Sequence, residues 1–75
     1  MDFDLELDVR NLSCPLPILR TKKSLAGMES GQRLKIVATD PGSVKDMQAF
    51  ASQTGNELLS STEENGEFIF FISKK

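Results

Sequence analysis

Pro15 and Pro17 fix where the first helix of this chain begins. Proline has no backbone N–H and holds φ near −65°, so it suits the opening turn of a helix and disrupts any later one. The segment Asn11-Leu12-Ser13-Cys14-Pro15-Leu16-Pro17 therefore leads into a helix, with Pro15 at the first helical position and Pro17 in the same turn. The pattern predicts that this helix runs to about Ala26, with Gly27 just past its end. Ile18 and Leu25 share a face, flanked by Leu19, Thr21 and Ala26. Lys22 falls inside that apolar arc and is expected to snorkel past the edge of the core. Arg20 and Lys23 are expected to point outward.

Upstream, Asp2 to Val9 alternates strictly. Phe3, Leu5, Leu7 and Val9 point one way and Asp2, Asp4, Glu6 and Asp8 the other, the period of a half-buried strand with an acidic solvent face. Downstream, Gly31 leads into a strand from Arg33 to Thr39, with Leu34, Ile36 and Ala38 alternating. Asp40-Pro41-Gly42-Ser43 is a turn, since Pro sets φ and Gly relieves steric limits. Ser43 then reads as the N-cap of a second helix, with Asp46 completing a capping pattern. Val44, Met47, Phe50, Ala51 and Thr54 form its apolar stripe, and Gly55 ends it. Leu58 to Glu63 and Glu67 to Ser73 flank Asn65-Gly66, a strong two-residue hairpin signal. The last strand is apolar on both faces: Phe68, Phe70 and Ile72 on one, Ile69 and Phe71 on the other.

The predicted order is strand, helix, strand, helix, strand, strand. A β-α-β crossover is right-handed and joins parallel strands, so both helices should start at one edge of the sheet. These elements fit an α/β two-layer sandwich, β-α-β-α-β-β, with a four-stranded mixed sheet and two helices on one face. Seventy-five residues make a single domain, residues 1–75. This topology brings Cys14 and the Asp40–Ser43 turn to one edge. It also leaves one sheet face bare, so Ile69 and Phe71, with Val37 beside them, should be partly exposed and dock a partner or a second copy.

Composition removes several classes of function. One cysteine cannot form an internal disulfide, which fits a reducing compartment. The acidic, alternating N-terminus is unlike a targeting peptide, and no apolar run approaches the ~18 residues of a membrane span, so the expected location is cytoplasmic. A net charge of −2 gives no basic footprint for direct nucleic-acid binding. There is no histidine, hence no Cys–His pair and no imidazole base. The alternate acids of the first strand lack the Gly and terminal Glu of a calcium loop, so neither a metal nor a cofactor is expected.

Chemistry then falls to Cys14. A helix start offers unpaired N–H groups and the positive end of the macrodipole, which favours the thiolate, the reactive form of sulfur. A lone free cysteine is ordinarily a small buried hydrophobe, but two flanking prolines stiffen its presentation and favour the reactive reading. Pro15, Pro17, Asp40 and Ser43 are expected to support the site. Asp40 close to the sulfur would oppose thiolate formation, so it is taken as a support and not a reactant.

Leu7-Asp8, Cys14-Pro15-Leu16-Pro17, Lys22-Lys23, Asp40-Pro41 with Ser43, Thr54-Gly55 and the terminal hairpin together resemble the TusA/SirA-like family of small sulfur carriers over nearly the whole chain. The resemblance implies a fold similar to the C-terminal domain of a translation initiation factor. It also implies a sulfurtransferase-like role, in which Cys14 accepts sulfane sulfur as a persulfide from a cysteine desulfurase or another donor protein. The sulfur would pass to a downstream acceptor protein, in tRNA thiolation or another sulfur-trafficking pathway. Asn11 stands where many relatives have Gly, and Asn tolerates a left-handed backbone. Leu16 stands where members that serve wobble-uridine thiolation commonly carry Glu. Arg20, Lys22 and Lys23 are candidate partner contacts, and a monomer or weak homodimer is expected. The alternative is a non-catalytic interaction or regulatory module with an inert Cys14, binding a protein through its open sheet face.

Overall fold

A computed structural model describes residues 2–75. The elements are β1 (Leu5–Val9), α1 (Leu16–Ala26), β2 (Arg33–Ala38), α2 (Ser43–Thr54), β3 (Glu57–Glu64) and β4 (Glu67–Ser73). They form one four-stranded sheet in the order β1-β2-β4-β3. β1 and β2 are parallel, with Leu7 opposite Ile36, whereas β4 is antiparallel to both β2 and β3. The expected β-α-β-α-β-β sandwich is what the chain adopts.

Alternation sets the core. Leu34, Ile36 and Ala38 of β2 and Phe70 and Ile72 of β4 are buried against Leu25 of α1 and Met47 and Phe50 of α2. A buried apolar side chain is stabilised by roughly 1.5–3 kcal/mol relative to exposure, so this one layer carries most of the fold. The punctuation holds at Gly55, whose φ of 81° makes a left-handed cap with its N–H on the Ala51 carbonyl. It holds again at Asn65 and Gly66, whose φ of 52° and 80° form the tight hairpin turn. A bulge between Leu58 and Ser60 is the one irregularity of that hairpin.

Three local expectations fail, each for a physical reason. The first concerns Phe3, which does not share a face with Leu5, Leu7 and Val9. The chain bends at Asp4, which pairs with Arg33 through both its N–H and its carboxylate at 2.9 Å. Phe3 thereby crosses to the open face, its ring 6.2 Å from that of Phe71 with the Lys35 ammonium 5.3 Å above it. Leu5, at the start of an edge strand, is itself exposed.

The second concerns α1, which turns a different side inward. Pro17, Thr21 and Leu25 form the buried line, and the Thr21 hydroxyl donates to the Pro17 carbonyl at 2.8 Å. With 3.6 residues per turn, that line puts Leu19 and Ala26 on the outer side and Lys22 off the core edge. All three are exposed. The Pro17 ring packs as an apolar side chain, which turns the buried line of α1 away from the arc of Ile18, Leu19 and Ala26.

Ser43 supplies the third. It is not a side-chain cap: α2 is capped at Gly42, and Ser43 is buried with its hydroxyl donating to the Asp40 carbonyl at 2.6 Å. The acceptors of the turn come from Asp40, so Ser43 already lies inside the helix.

Candidate functional site

The loop between β1 and α1 is held at both ends by backbone geometry. Asn11 has φ 66°, the left-handed conformation that Asn tolerates, and its N–H donates to the Thr39 hydroxyl at 2.8 Å. Ser13 accepts the Leu16 N–H at 2.9 Å and Pro15 accepts the Leu19 N–H at 3.1 Å. Pro15 is the N-cap residue and Pro17 lies in the first turn, so the helix opens one residue later than the sequence suggests. Cys14 projects from this turn, exposed and unpaired with any other thiol.

Asp40 ties that loop to α2. One carboxylate oxygen, Oδ2, accepts the Cys14 N–H at 3.0 Å, and the other, Oδ1, accepts the Gly42 N–H at 3.3 Å. Its carbonyl accepts the Ser43 N–H at 3.0 Å and the Ser43 hydroxyl. Asp40 and Ser43 are thus where the topology put them, beside Cys14 and at the entry to α2.

The charge at the sulfur is the reverse of the expected one. The thiol is pushed above the ordinary thiol range, chiefly by the Asp46 carboxylate; desolvation and the charges of Asp46 and Asp40 add to it. A helix N-terminus contributes about half a positive charge spread over several N–H groups. The full negative charges of Asp46 and Asp40 outweigh it and favour the thiol over the thiolate at Cys14. The capping pattern of Ser43 and Asp46 carries no sign of this effect, because the charge reaches the thiol from a separate helix.

Around Cys14, Leu16 and Leu19 are 41% and 53% exposed. With Arg20 and Lys23 they occupy positions i, i+3, i+4 and i+7 of α1, one outward face, and Lys22 is exposed beside it. The basic candidates therefore flank an apolar patch that includes Leu19, a residue the periodicity places beside the core.

Ile69 and Phe71 belong to a separate surface. They are half-buried on the open sheet face, with Val37 only 8% exposed beneath them. A depression of about 460 Å³ lies there, lined by Glu6, Asp8, Arg10, Lys35, Val37, Glu67 and Ile69 and not by Cys14, Asp40 or Asp46. Its charges are paired: Arg10 with Asp8 at 3.0 Å and with Glu67 at 3.3 Å, and Lys35 with Glu6 at 3.9 Å. Arg10's hydrogen bonds hold Asp8 well below the usual carboxylate range, at about 2. Among the described residues no three His, Cys, Asp or Glu side chains group to hold a metal, and no helix is long and apolar enough to cross a membrane.

This arrangement has counterparts. A family profile described as sulfurtransferase TusA matches residues 5–74. The sulfur carrier protein TusA of Allochromatium vinosum is 66% identical over 97% of this chain and 96% of its own length. The putative sulfur carrier protein YrkI of Bacillus subtilis is 43% identical over 99% of each chain. The crystal structure of a SirA-like protein from Desulfitobacterium hafniense superposes with a TM-score of 0.83 at 25% identity, covering 93% of this chain and 96% of that one.

Proposed function

The chain belongs to the sulfurtransferase TusA family, and from that premise we propose that it is a sulfur carrier working through Cys14. The observation that carries this reading is the presentation of the thiol. Cys14 is exposed on a loop held by Asp40 and the opening turn of α1, so two successive partners can reach one fixed sulfur. Persulfide transfer asks for that geometry and for no triad.

In the loading step, Cys14 Sγ attacks the outer sulfur of a donor persulfide. A new S–S bond forms on Cys14 and the donor's S–S bond breaks. Cys14 becomes a persulfide, two electrons are passed to the donor, and the donor leaves as a thiol carrying the proton that Cys14 gave up. In discharge the roles reverse and an acceptor protein takes the outer sulfur. The donor is a cysteine desulfurase or another persulfide-bearing protein. The apolar and basic outer face of α1, Leu16, Leu19, Arg20, Lys22 and Lys23, lies beside the sulfur and is the contact surface for both partners. An exposed free thiol suits the reducing cytoplasm. Delivery to tRNA thiolation is one outlet for the sulfur; Leu16, apolar where a Glu would be expected for that relay, favours another.

Intact-mass measurement after incubation with a cysteine desulfurase and cysteine tests the proposal. One sulfur atom should be added, removable by reductant and absent from a folded Cys14→Ser protein. Equal loading of Cys14→Ser, or no loading by any of a panel of competent donors, would leave the interaction-module reading in its place.

A further inference from the structure

Transfer between two proteins through one sulfur is a problem of placement. The reacting atoms must come within about 3–3.5 Å along the line of the bond that breaks, and a misplacement of about 1 Å can cost ~10²-fold. A partner rests where its docking surface puts it, so Cys14 Sγ must hold a set position relative to that surface. The loop that carries the sulfur runs from the end of β1 to the start of α1, and successive residues just past β2 hold it at two points. The Thr39 hydroxyl accepts the Asn11 N–H at 2.8 Å, and Asp40 Oδ2 accepts the Cys14 N–H at 3.0 Å. β2 pairs with β1 on one side and β4 on the other, and its Leu34, Ile36, Val37 and Ala38 are buried. Thr39 and Asp40 thus project from the part of the fold least able to open or shift.

The two attachments are not equivalent. Asp40 also accepts the Gly42 N–H, and its charge opposes the thiolate, so replacing it alters geometry and charge together. Thr39 is uncharged and half-buried, and its branched side chain is stiff at χ1, which aims the hydroxyl. Its donor Asn11 has φ 66°, the left-handed conformation that turns the chain and sets the direction of the loop beyond it. Leu12 then packs against the core and donates its N–H to the Val9 carbonyl at 3.3 Å. A span attached at Asn11 and at Cys14 has one orientation. Attached only at Cys14, it can pivot.

We propose that Thr39 is a positioning residue for sulfur transfer: by holding the Asn11 N–H it stops the Cys14 loop from pivoting about Asp40 and sets Sγ in one place beside the outer face of α1. The inference rests on the carrier reading above. Thr39 makes and breaks no bond to sulfur; it acts through the backbone of the loop. Without its hydroxyl, Asp40 still holds the Cys14 N–H and the charges around the thiol are unchanged. The sulfur then spends part of its time where a docked persulfide cannot meet it. A small, freely diffusing electrophile approaches an exposed thiol wherever the thiol points, so it does not sense the difference. Thr39 therefore separates the placement of the sulfur from its reactivity.

Thr39→Val keeps the branched shape and removes the acceptor. Its test is single-turnover loading from a persulfidated cysteine desulfurase over a range of donor concentrations. The rate at saturating donor should fall about three- to tenfold, the factor that one lost hydrogen bond of ordinary strength gives. The donor concentration at half-saturation should not change, since the outer face of α1 is untouched. The pH profile of Cys14 alkylation by iodoacetamide should also match wild type, and amide hydrogen exchange at Asn11 should accelerate. Thr39→Ser, which restores the hydroxyl, should recover loading. Thr39→Ala is read in the same way should the Val protein not fold. Loading at the wild-type rate overturns the proposal. So does a parallel fall in alkylation and loading, which would mark a merely structural residue, or a change confined to half-saturation, which would mark a docking contact. Failure of the wild-type protein itself to load is a different result and overturns the carrier reading.

Discussion

Replacing Asp40 with Ala removes the carboxylate that joins the Cys14 loop to α2. Two N–H donors lose their acceptors, Cys14 at 3.0 Å and Gly42 at 3.3 Å, while the bonds of Ser43 to the Asp40 carbonyl remain. A net hydrogen bond is worth about 0.5–1.5 kcal/mol, more when the acceptor is charged. Cys14 and Gly42 are exposed, so water can resolvate both donors, and the lower figure applies. The expected loss is about 1–3 kcal/mol. A domain of this length has a total stability on the order of 4–11 kcal/mol, so the variant should still fold. Its melting temperature should fall by roughly 5–20 °C. Asp40→Asn should fall between, because an amide offers one oxygen acceptor and turns an N–H₂ toward the other donor. With no Trp or Tyr in the chain, urea unfolding is best followed by far-UV circular dichroism. Hydrogen exchange of the Cys14 amide reports the tether directly and should accelerate in both variants. An Ala protein within about 0.5 kcal/mol of wild type, with unchanged Cys14 amide exchange, would show that the tether holds nothing.

Two further outcomes concern the open face. Asp8 should titrate near pH 2 when its carboxyl carbon is followed by NMR, since Arg10's hydrogen bonds favour the ionised form. Its pKa is depressed on folding, so the stability it lends is complete above the ordinary carboxylate range near ~4 and is lost as pH falls from there through about 2; Asp8→Asn should weaken the protein slightly at pH 7 and not at pH 2, and equal loss at both would refute the pairing. Phe71→Ser should weaken any self-association or partner binding by the sheet face while sparing the Cys14 edge, and sedimentation and binding unchanged from wild type would dispose of that surface.

Legibility followed the range of the interaction. Proline, glycine and the Asn-Gly pair act through their own backbone, and every turn they marked is present, with Gly55 and Asn65–Gly66 in the left-handed conformations assigned to them. Alternation acts over two residues and correctly separated Phe70 and Ile72 from Ile69 and Phe71. Phe3 broke the rule because a carboxylate 29 residues away in sequence from its partner, Asp4 on Arg33, bends the chain just before β1. The inward face of α1 was misjudged because Pro17 packs as an apolar ring and Thr21 satisfies its hydroxyl on the Pro17 carbonyl, two behaviours that a hydropathy pattern scores as polar or neutral.

The position of Cys14 was legible; its charge was not. Any argument from local sequence gives a cysteine at a helix start a lowered pKa, because the macrodipole is a property of the helix that follows it. The opposing charge comes from another helix, brought in by the parallel β1–β2 pairing that sets both helix starts at one sheet edge. Ser43 and Asp46 matched a capping pattern, which made Asp46 look fully explained. Once Asp40 supplies the acceptors for that turn, the pattern loses its purpose, and the Asp46 charge instead raises the pKa of the thiol. A capping pattern beside a topologically adjacent nucleophile therefore has two possible readings, and the residue before the Pro-Gly turn decides between them. Where that residue is an Asp that accepts the turn's own N–H groups, the acid three places after the apparent cap makes no cap bond, and its charge acts on the nucleophile instead.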